Sequence, residues 1–394
     1  MKTLLKVLLA VSLSALTLYL FLHNLDFAKV RAGLASANPL LLLVALVIGY
    51  FGHLSLRSWR WATMLNPLKE RISFYNLFST TAIGYALSWL APGRIGEVVR
   101  PVLLARREAI PAAASVATIG VERIIDGATV LALAAGAAVL APLWSSTGAP
   151  TLPRAATWLA VFALAACTAG FFAARALLRE GSWFLNAIDE RTKAASGMRR
   201  RLWSLLGSLS GGALFLRDGR RALTVALQSL LIWSVLGVST WIGLLAAGVR
   251  IPFIGTFLLL AVAVMGIAVP TPGGAGSVHF AFQQGLIRMF GVEKDLAAVA
   301  TVIYHPVLVY IPPVVFGLMF AWRDGLTPSR LRAAAAGPPD GPAAAGTIEQ
   351  EAGASERGAG ASKGAADANA RKPGVSQREA HRSARRAAAS EGVA

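Results

Sequence analysis

The sequence predicts an all-α polytopic membrane protein, and three observations support this fold class. First, hydrophobic residues make up 55% of the 394-residue chain and charged residues only 15%, which is too apolar for a soluble protein of this length. Second, apolar runs long enough to cross about 30 Å of hydrocarbon recur along the chain. Third, two further apolar regions are each interrupted by a related Pro-Gly motif.

Six apolar runs are predicted to be full crossings of the membrane. The first is interpreted as an uncleaved span, because the nearest Ala-x-Ala site lies about fifteen residues beyond the run. Ten Lys and Arg against four Asp and Glu between Arg175 and Arg221 predict a cytoplasmic connection there. Both termini are then predicted to be cytoplasmic, with the spans in a bacterial inner membrane. The six runs are residues 4–22, 39–56, 115–141, 155–174, 222–247 and 297–321.

Two broken apolar regions, residues 75–105 and 252–290, are predicted to form helical hairpins. Pro and Gly release backbone groups that hydrocarbon cannot hydrogen-bond, so such breaks are stable only beside a wet or ligand-filled cavity. The first hairpin is expected to open inward and the second outward. Whether the arms cross fully or re-enter stays open, giving about eight to ten membrane helices. The tips are predicted at Pro92, Gly93 and Gly96, and at Pro270, Pro272, Gly273, Gly274 and Gly276.

The order span, broken hairpin, span occurs twice, which predicts an inverted repeat within one transmembrane domain of residues 1–325. The two units are residues 39–141 and 222–321, and paired breaks of this kind are typical of transporters. The basic segment 175–221 between them fits either a helix on the inner leaflet or a loop that only sets topology. Residues 326–394 are rich in Ala, Gly and Pro and are predicted to be a disordered tail.

Three charged residues, Glu122, Arg123 and Asp126, lie within the run at 115–141. Their spacing places them on adjoining faces of a helix. A charge at the centre of a membrane helix costs about 2.5–3.5 kcal/mol, so charges there are usually functional or paired. The group fits either a ligand-binding site or a self-satisfied Glu–Arg–Asp network that fixes helix packing.

The first Pro-Gly motif is flanked by Arg94, Glu97 and Arg100. The guanidinium fork donates two parallel hydrogen bonds to a phosphate, and the free N–H groups of a broken helix add positive potential. These residues are therefore candidates for binding a lipid headgroup. Arg94 also fits an ordinary loop at the cytoplasmic surface.

Basic and aromatic residues end the second predicted span, where Arg57 and Arg60 alternate with Trp59 and Trp61. Such residues are commonly membrane-boundary anchors, and headgroup binding is the alternative. Histidines in the apolar regions fit either core hydrogen bonding or proton coupling. They are His53, His279 and His305.

No catalytic, metal or cofactor motif stands out. The chain contains no HExxH, GxSxG or GxxxxGK pattern, and its single Cys167 excludes both a disulfide framework and a cysteine metal site. We therefore predict no cofactor and no metal. The basic tail lacks interleaved aromatic residues, so nucleic-acid binding is not expected.

The motifs together resemble the flippase-like family that shares the transmembrane domain of bacterial lysylphosphatidylglycerol synthases. In the two-part members, as the resemblance implies, a cytosolic domain loads lysine onto phosphatidylglycerol and the membrane domain moves the product outward. The resemblance covers about residues 5–325. A low-complexity tail follows in place of a cytosolic domain, so this chain is not expected to be a synthase. The matching segments are Arg57–Trp61, Pro92–Arg100, Glu122–Asp126 and Pro270–Gly276.

Two positions depart from the family pattern. Similar members often carry Glu three residues after the last Gly of the second motif and Arg after a Tyr in the final span, whereas this chain has His279 and His305. If the family residues pair across a cavity, two histidines weaken the charge there. An aminoacylated lipid is therefore not carried over as the cargo.

The leading hypothesis is a lipid translocator without enzymatic activity, whose two hairpins meet near the midplane and hold a headgroup. An anionic phospholipid, an aminoacyl-phospholipid, a polyisoprenyl phosphate and a hopanoid all remain candidate cargos. One alternative is an integral-membrane lipid-modifying enzyme that uses Glu122 and Asp126 as acid or base. Another is a scaffold that recruits a separate lipid-synthesis enzyme through the basic segment.

Overall fold

The computed structural model describes residues 2–91, 94–144, 154–178, 183–327 and 329–331. No strand occurs within these ranges, which confirms the all-α fold class. Apart from short 3₁₀ and π segments, the helices are α1 Lys2–Leu22, α2 Phe27–Ala35, α3 Pro39–Leu46, α4 His53–Leu65, α5 Phe74–Leu90, α6 Gly96–Glu108, α7 Ala112–Trp144, α8 Arg154–Leu177, α9 Trp183–Ala194, α10 Gly197–Gly212, α11 Gly219–Ala246, α12 Thr256–Ala268, α13 Ser277–Phe290, α14 Lys294–Val302 and α15 Ile311–Arg323.

Four helical segments among the described residues are long and apolar enough to cross a membrane, which confirms a polytopic membrane protein. A fifth crossing is reached if Leu8–Leu22 and Phe27–Ala35, which are bent by 84° relative to each other, act as one broken span. The crossing predicted at 155–174 falls within α8, and the number of crossings stays a prediction. The four segments are Pro39–Leu65, Ala112–Ala141, Gly219–Ala246 and Lys294–Arg323.

Two of these segments contain a π-helical stretch. Val47–Gly52 joins α3 to α4, and Ile303–Tyr310, which includes Pro306, joins α14 to α15. Wider turns of this type are rare and frequently occur at functional sites. The two stretches contact each other, so irregular backbone from the two predicted repeat units lies together.

Both broken regions contain a pair of packed helices, as predicted. The first region forms α5 and α6, and the second forms α12 and α13. In the second tip, Gly273, Gly274 and Gly276 have φ of 59°, 67° and 83°, a left-handed backbone that side chains with a Cβ rarely adopt. Pro92 and Gly93 lie outside the described residues.

The two hairpins contact each other at their tips. The Arg94 Nη2 donates to the carbonyl oxygen of Ile267 near the end of α12, at 2.8 Å. Helix α1 covers the second tip, where the Ser14 hydroxyl donates to the carbonyl of Ala275 at 2.8 Å. The predicted meeting of the hairpins is therefore present in the structure.

The element order of the two predicted repeat units is the same. A span precedes a hairpin and a second span in both, first from α3 to α7 and then from α11 to α15. The inverted relation between the units, and the domain limits, stay predictions. Almost all of the predicted disordered tail, residues 326–394, lies outside the described residues.

Tight packing inside the first hairpin makes Gly96 a sensitive position. A Cβ added there would lie 2.5 Å from the Ser88 hydroxyl oxygen and 2.7 Å from the Ser88 backbone nitrogen. We expect Gly96→Ala to destabilise the protein by about 1–3 kcal/mol through overpacking. Thermal unfolding of the purified protein in detergent measures this.

The matched control is Gly127→Ala in α7. A Cβ at Gly127 meets nothing within 4 Å, and Ala is favoured over Gly in a helix by about 0.5–1 kcal/mol. The melting temperature should therefore fall for Gly96→Ala and hold or rise for Gly127→Ala. Equal melting temperatures for the two variants would contradict the packing of α5 on α6.

Candidate functional site

Six charged side chains from three helices converge inside the helical bundle. Helix α4 contributes two of them three residues apart, and α7 contributes three within five residues, so each helix presents its charges on one face. Helix α6 supplies the sixth. This charged cluster consists of Arg57, Arg60, Arg100, Glu122, Arg123 and Asp126.

Glu122 lies at the centre of the charged cluster and is 0% exposed. Its Oε1 accepts hydrogen bonds from Arg57 Nη1 at 3.0 Å, Arg100 Nη1 at 3.2 Å and Arg123 Nη2 at 2.6 Å. Arg60 Nη2 lies 3.7 Å from the same oxygen. One carboxylate oxygen therefore attracts guanidinium groups from all three helices and ties α4 and α6 to α7.

Asp126 lies one helical turn beyond Glu122 and pairs with three of the same arginines. Arg57 Nη2 donates to its Oδ2. Arg60 Nη1 lies 2.8 Å from Oδ1, and Arg123 Nη2 lies 3.5 Å from Oδ2. The two carboxylates thus share their cations, and the loss of either would affect the whole cluster.

The charged cluster is not electrically balanced. It holds four guanidinium groups against two carboxylates, which leaves two positive charges in excess. The Nε and Nη2 atoms of Arg60 and Arg100 are buried and make no hydrogen bond within the described residues. Since buried charges require compensation, this arrangement makes the charged cluster a candidate anion-binding site.

Access to the charged cluster is from the side of Arg123. Its side chain is 36% exposed, whereas the other five members are buried. The next residue on α7, Ile124, is 66% exposed, as expected of a residue that faces lipid. The open edge of the charged cluster therefore adjoins an apolar outer surface.

Two aromatic residues complete the charged cluster, and neither was among the predicted site residues. The Tyr85 hydroxyl accepts a hydrogen bond from Arg57 Nη1 at 2.6 Å. The Arg100 guanidinium lies 4.0 Å from the centre of the Trp61 ring, a cation–π contact. In the sequence, each is an aromatic residue in a helical segment. That pattern does not distinguish a residue that contacts the charged cluster from an ordinary core residue.

The structure corrects the anchor interpretation of Arg57 and Arg60. The span predicted to end at residue 56 continues as a helix to Leu65, and both arginines and Trp61 are buried within it. The span predicted from hydropathy ends before Arg57, because hydropathy does not include the carboxylates of another helix that pair with the arginines. Only Trp59, at 51% exposure, retains an outward position.

Two predicted site residues of the first motif lie apart from the charged cluster. Arg94 and Glu97 pair with each other at 3.7 Å and have side chains that are 46% and 33% exposed. Arg94 also has a left-handed backbone, with φ of 52°. Arg94 connects the two hairpins through its hydrogen bond to the Ile267 carbonyl oxygen.

The two histidines at the departing family positions lie face to edge. The ring centres of His279 and His305 are 4.6 Å apart. His305 is 2% exposed, and its ring lies beside the backbone of Gly273 in the second tip. Trp89 and Tyr310 surround it, with ring centres 5.6 and 6.0 Å away. Positions 279 and 305 are therefore in contact in the structure.

Placing Glu at position 279 and Arg at position 305 gives a testable contrast. His305→Arg alone places an unpaired cation in a buried aromatic environment, which costs about 2.5–3.5 kcal/mol in the membrane centre. We expect this single variant to lower the melting temperature. The double variant His279→Glu with His305→Arg should recover part of the loss, because the two charges neutralise each other.

A double-mutant cycle on thermal unfolding measures the coupling, which for contacting residues is about 0.5–3 kcal/mol. His23→Arg is the control, since His23 is exposed at the end of α1. Additive effects of the two substitutions would contradict the contact between positions 279 and 305.

No group of three or more His, Cys, Asp or Glu with the arrangement of a metal site occurs among the described residues. The chemistry of the charged cluster is likewise that of guanidinium and carboxylate groups.

Two comparisons with known proteins agree with this description. The sequence profile of the family described as the lysylphosphatidylglycerol synthase TM region matches residues 7–317. The protein named Glycosyltransferase AglD from Haloferax volcanii is 27% identical over 326 residues, which cover 75% of this chain and 51% of the relative. The chain therefore spans about half the length of that relative.

Proposed function

The chain belongs to the family of the lysylphosphatidylglycerol synthase TM region, and from this premise we propose that it translocates a lipid across the membrane. The headgroup is held at the charged cluster while the hydrocarbon chains stay in the bilayer. The observation that carries the proposal is the excess of two positive charges in the charged cluster between α4, α6 and α7, of which Arg123 is the partly exposed member. A network that served packing alone would require no such excess.

The position of the charged cluster supports a lipid as the ligand. Arg123 is the exposed member and Ile124 projects beside it, so a headgroup at Arg123 has an apolar surface next to it for its chains. Each hairpin is broken near the other, and such breaks line substrate paths in transporters. Both features are expected of a protein that passes a polar group between leaflets.

The relative named as a glycosyltransferase favours a second candidate, a membrane enzyme that modifies lipids. Glu122 and Asp126 would then act as acid or base. Against this, every hydrogen bond and ion pair described for these carboxylates is with an arginine of the charged cluster. A carboxylate paired in this way is a poor acid or base. Translocation is therefore the leading proposal.

The test is lipid movement in vesicles that contain only the purified protein. Lipids with a fluorescent label on the headgroup are placed in both leaflets, and a membrane-impermeant quencher reports which molecules reach the outer leaflet. Faster movement than in protein-free vesicles supports the proposal. Chemically altered lipids without movement would replace it with the enzyme reading.

We also propose the orientation, with the membrane being the inner membrane and both termini cytoplasmic. The excess of Lys and Arg between Arg175 and Arg221 supports it. A reporter protein that is active only in the cytoplasm should be active when it is fused to either terminus. An inactive fusion at the N terminus with an active one after residue 331 would contradict an even number of crossings.

A further inference from the structure

We infer that the headgroup bound at the charged cluster is a phosphate carrying two negative charges, that is, a phosphate monoester on a lipid or the free phosphate ion. The inference rests on the proposed function for the lipid source, and on the charge balance of the cluster for the phosphate. It separates dianionic headgroups from phosphodiester, zwitterionic and aminoacylated ones.

The charge balance holds when neighbouring groups are included. Four guanidinium groups face two carboxylates within the cluster. Outside it, Glu97 is near enough to Arg123 to act on its charge, but Glu97 is itself paired with Arg94, so the pair adds no net charge. Tyr85 and His53 stack 6.3 Å apart beside Arg57 and bring no permanent charge. A ligand with two negative charges brings the region to neutrality.

The hydrogen-bonding capacity of the cluster also fits a phosphate. Within the described part of the chain, two carboxylate oxygens of the cluster, Glu122 Oε2 and Asp126 Oδ1, are buried without a hydrogen bond, and so are six guanidinium nitrogens: Nε and Nη2 of Arg60 and Arg100, and Nε of Arg57 and Arg123. The six nitrogens are donors, because a guanidinium has no acceptor, so free donors outnumber free acceptors in the cluster. A phosphate monoester offers three strongly accepting oxygens, and arginine binds such oxygens through two parallel hydrogen bonds.

The low exposure of the cluster makes it selective for charge. At an effective dielectric constant near 20, two unit charges 4 Å apart interact with about 4 kcal/mol, so one charge more or less on the ligand changes its affinity strongly. We expect at least about tenfold tighter binding of a dianion than of a monoanion. An aminoacylated lipid adds an ammonium group next to four guanidinium groups and should bind most weakly.

Two lipids that differ by a single methyl group provide the test. Phosphatidic acid is largely dianionic at pH 8 because the second pKa of a phosphate monoester is near 6, whereas phosphatidylmethanol with the same chains is a monoanion. Binding to the full chain in phosphate-free detergent is measured for both by native mass spectrometry. Phosphatidylcholine and lysyl-phosphatidylglycerol extend the series to zero and positive charge, and inorganic phosphate is added as a competitor.

The expected order is phosphatidic acid first, then phosphatidylmethanol, phosphatidylcholine and lysyl-phosphatidylglycerol. In Arg123→Gln the excess falls from two charges to one, so the preference for phosphatidic acid over phosphatidylmethanol should shrink to about threefold or less. Equal binding of these two lipids by the wild-type protein, or preference for lysyl-phosphatidylglycerol, would overturn the inference.

The remaining outcomes separate the two sources of phosphate and the two proposals. Competition by inorganic phosphate together with lipid binding supports recognition of the phosphate group on a lipid. Binding of inorganic phosphate alone supports the charge class but rejects a lipid cargo. Because binding is measured without movement, charge-ranked binding in a protein that moves no lipid sustains the inference and rejects translocation.

Discussion

Glu122→Gln is expected to destabilise the protein by about 3–5 kcal/mol, the cost of removing one partner from a buried ion pair. The Glu122 Oε1 is the common acceptor for Arg57, Arg100 and Arg123. Without its charge, four guanidinium groups of the cluster face only Asp126, and the positive excess of the cluster rises from two to three. Thermal unfolding in detergent should show a fall in melting temperature, or the variant should fail to accumulate in the membrane.

The control for Glu122→Gln is Glu97→Gln, which makes the same chemical change on α6. Glu97 is 33% exposed and, within the described part of the chain, forms its ion pair with Arg94 at 3.7 Å, an arrangement that contributes about 0–1 kcal/mol. A second variant, Glu122→Gln with Arg100→Gln, restores the excess to two and should regain part of the lost stability. If Glu97→Gln were as damaging as Glu122→Gln, the central role of Glu122 would be wrong.

Much of the fold was predictable because hydropathy and backbone chemistry act locally. An apolar run of about 20 residues has few alternatives to a membrane helix. The Pro-Gly breaks predicted helical hairpins, and α5 with α6 and α12 with α13 fill those positions. The glycines of the second tip have the left-handed backbone that explains their residue type.

The charged cluster was only partly predictable. Local spacing grouped Glu122, Arg123 and Asp126, because all three are on one helix. It could not join them to Arg57 and Arg60, because that contact spans more than sixty residues of sequence and depends on how α4 packs on α7. Hydropathy placed those arginines at a membrane boundary, since no local property distinguishes a paired buried arginine from an anchor.

The choice between a packing network and a ligand site also required three-dimensional information. Considering α7 alone gives one arginine for two carboxylates, which is a negative group. With Arg57, Arg60 and Arg100 from the neighbouring helices, the sign reverses and the cluster becomes positive. The candidate ligand therefore changes from a cation to an anion once the helices are packed.

Arg123→Gln is expected to reduce lipid movement at least about tenfold while leaving the fold intact. A hydrogen bond to a charged group contributes about 1.5–3 kcal/mol, so losing the accessible donor at the open edge should slow headgroup entry by roughly that factor or more. Stability should hold, because Glu122 keeps Arg57 and Arg100 as partners and the positive excess of the cluster falls to one charge. Arg123→Gln is therefore expected to slow lipid movement without a loss of stability, whereas Glu122→Gln is expected to lower stability.

Arg288→Gln is the matched control for this prediction, since Arg288 is on α13, donates to Gln284 on its own helix and makes no ion pair with the charged cluster among the described residues. Its rate of lipid movement should equal that of the wild-type protein in the vesicle assay. Arg123→Lys keeps the charge but not the planar fork, so an intermediate rate is expected. If Arg123→Gln moved lipid at the wild-type rate with an unchanged melting temperature, the open edge at Arg123 would not be the headgroup entry site.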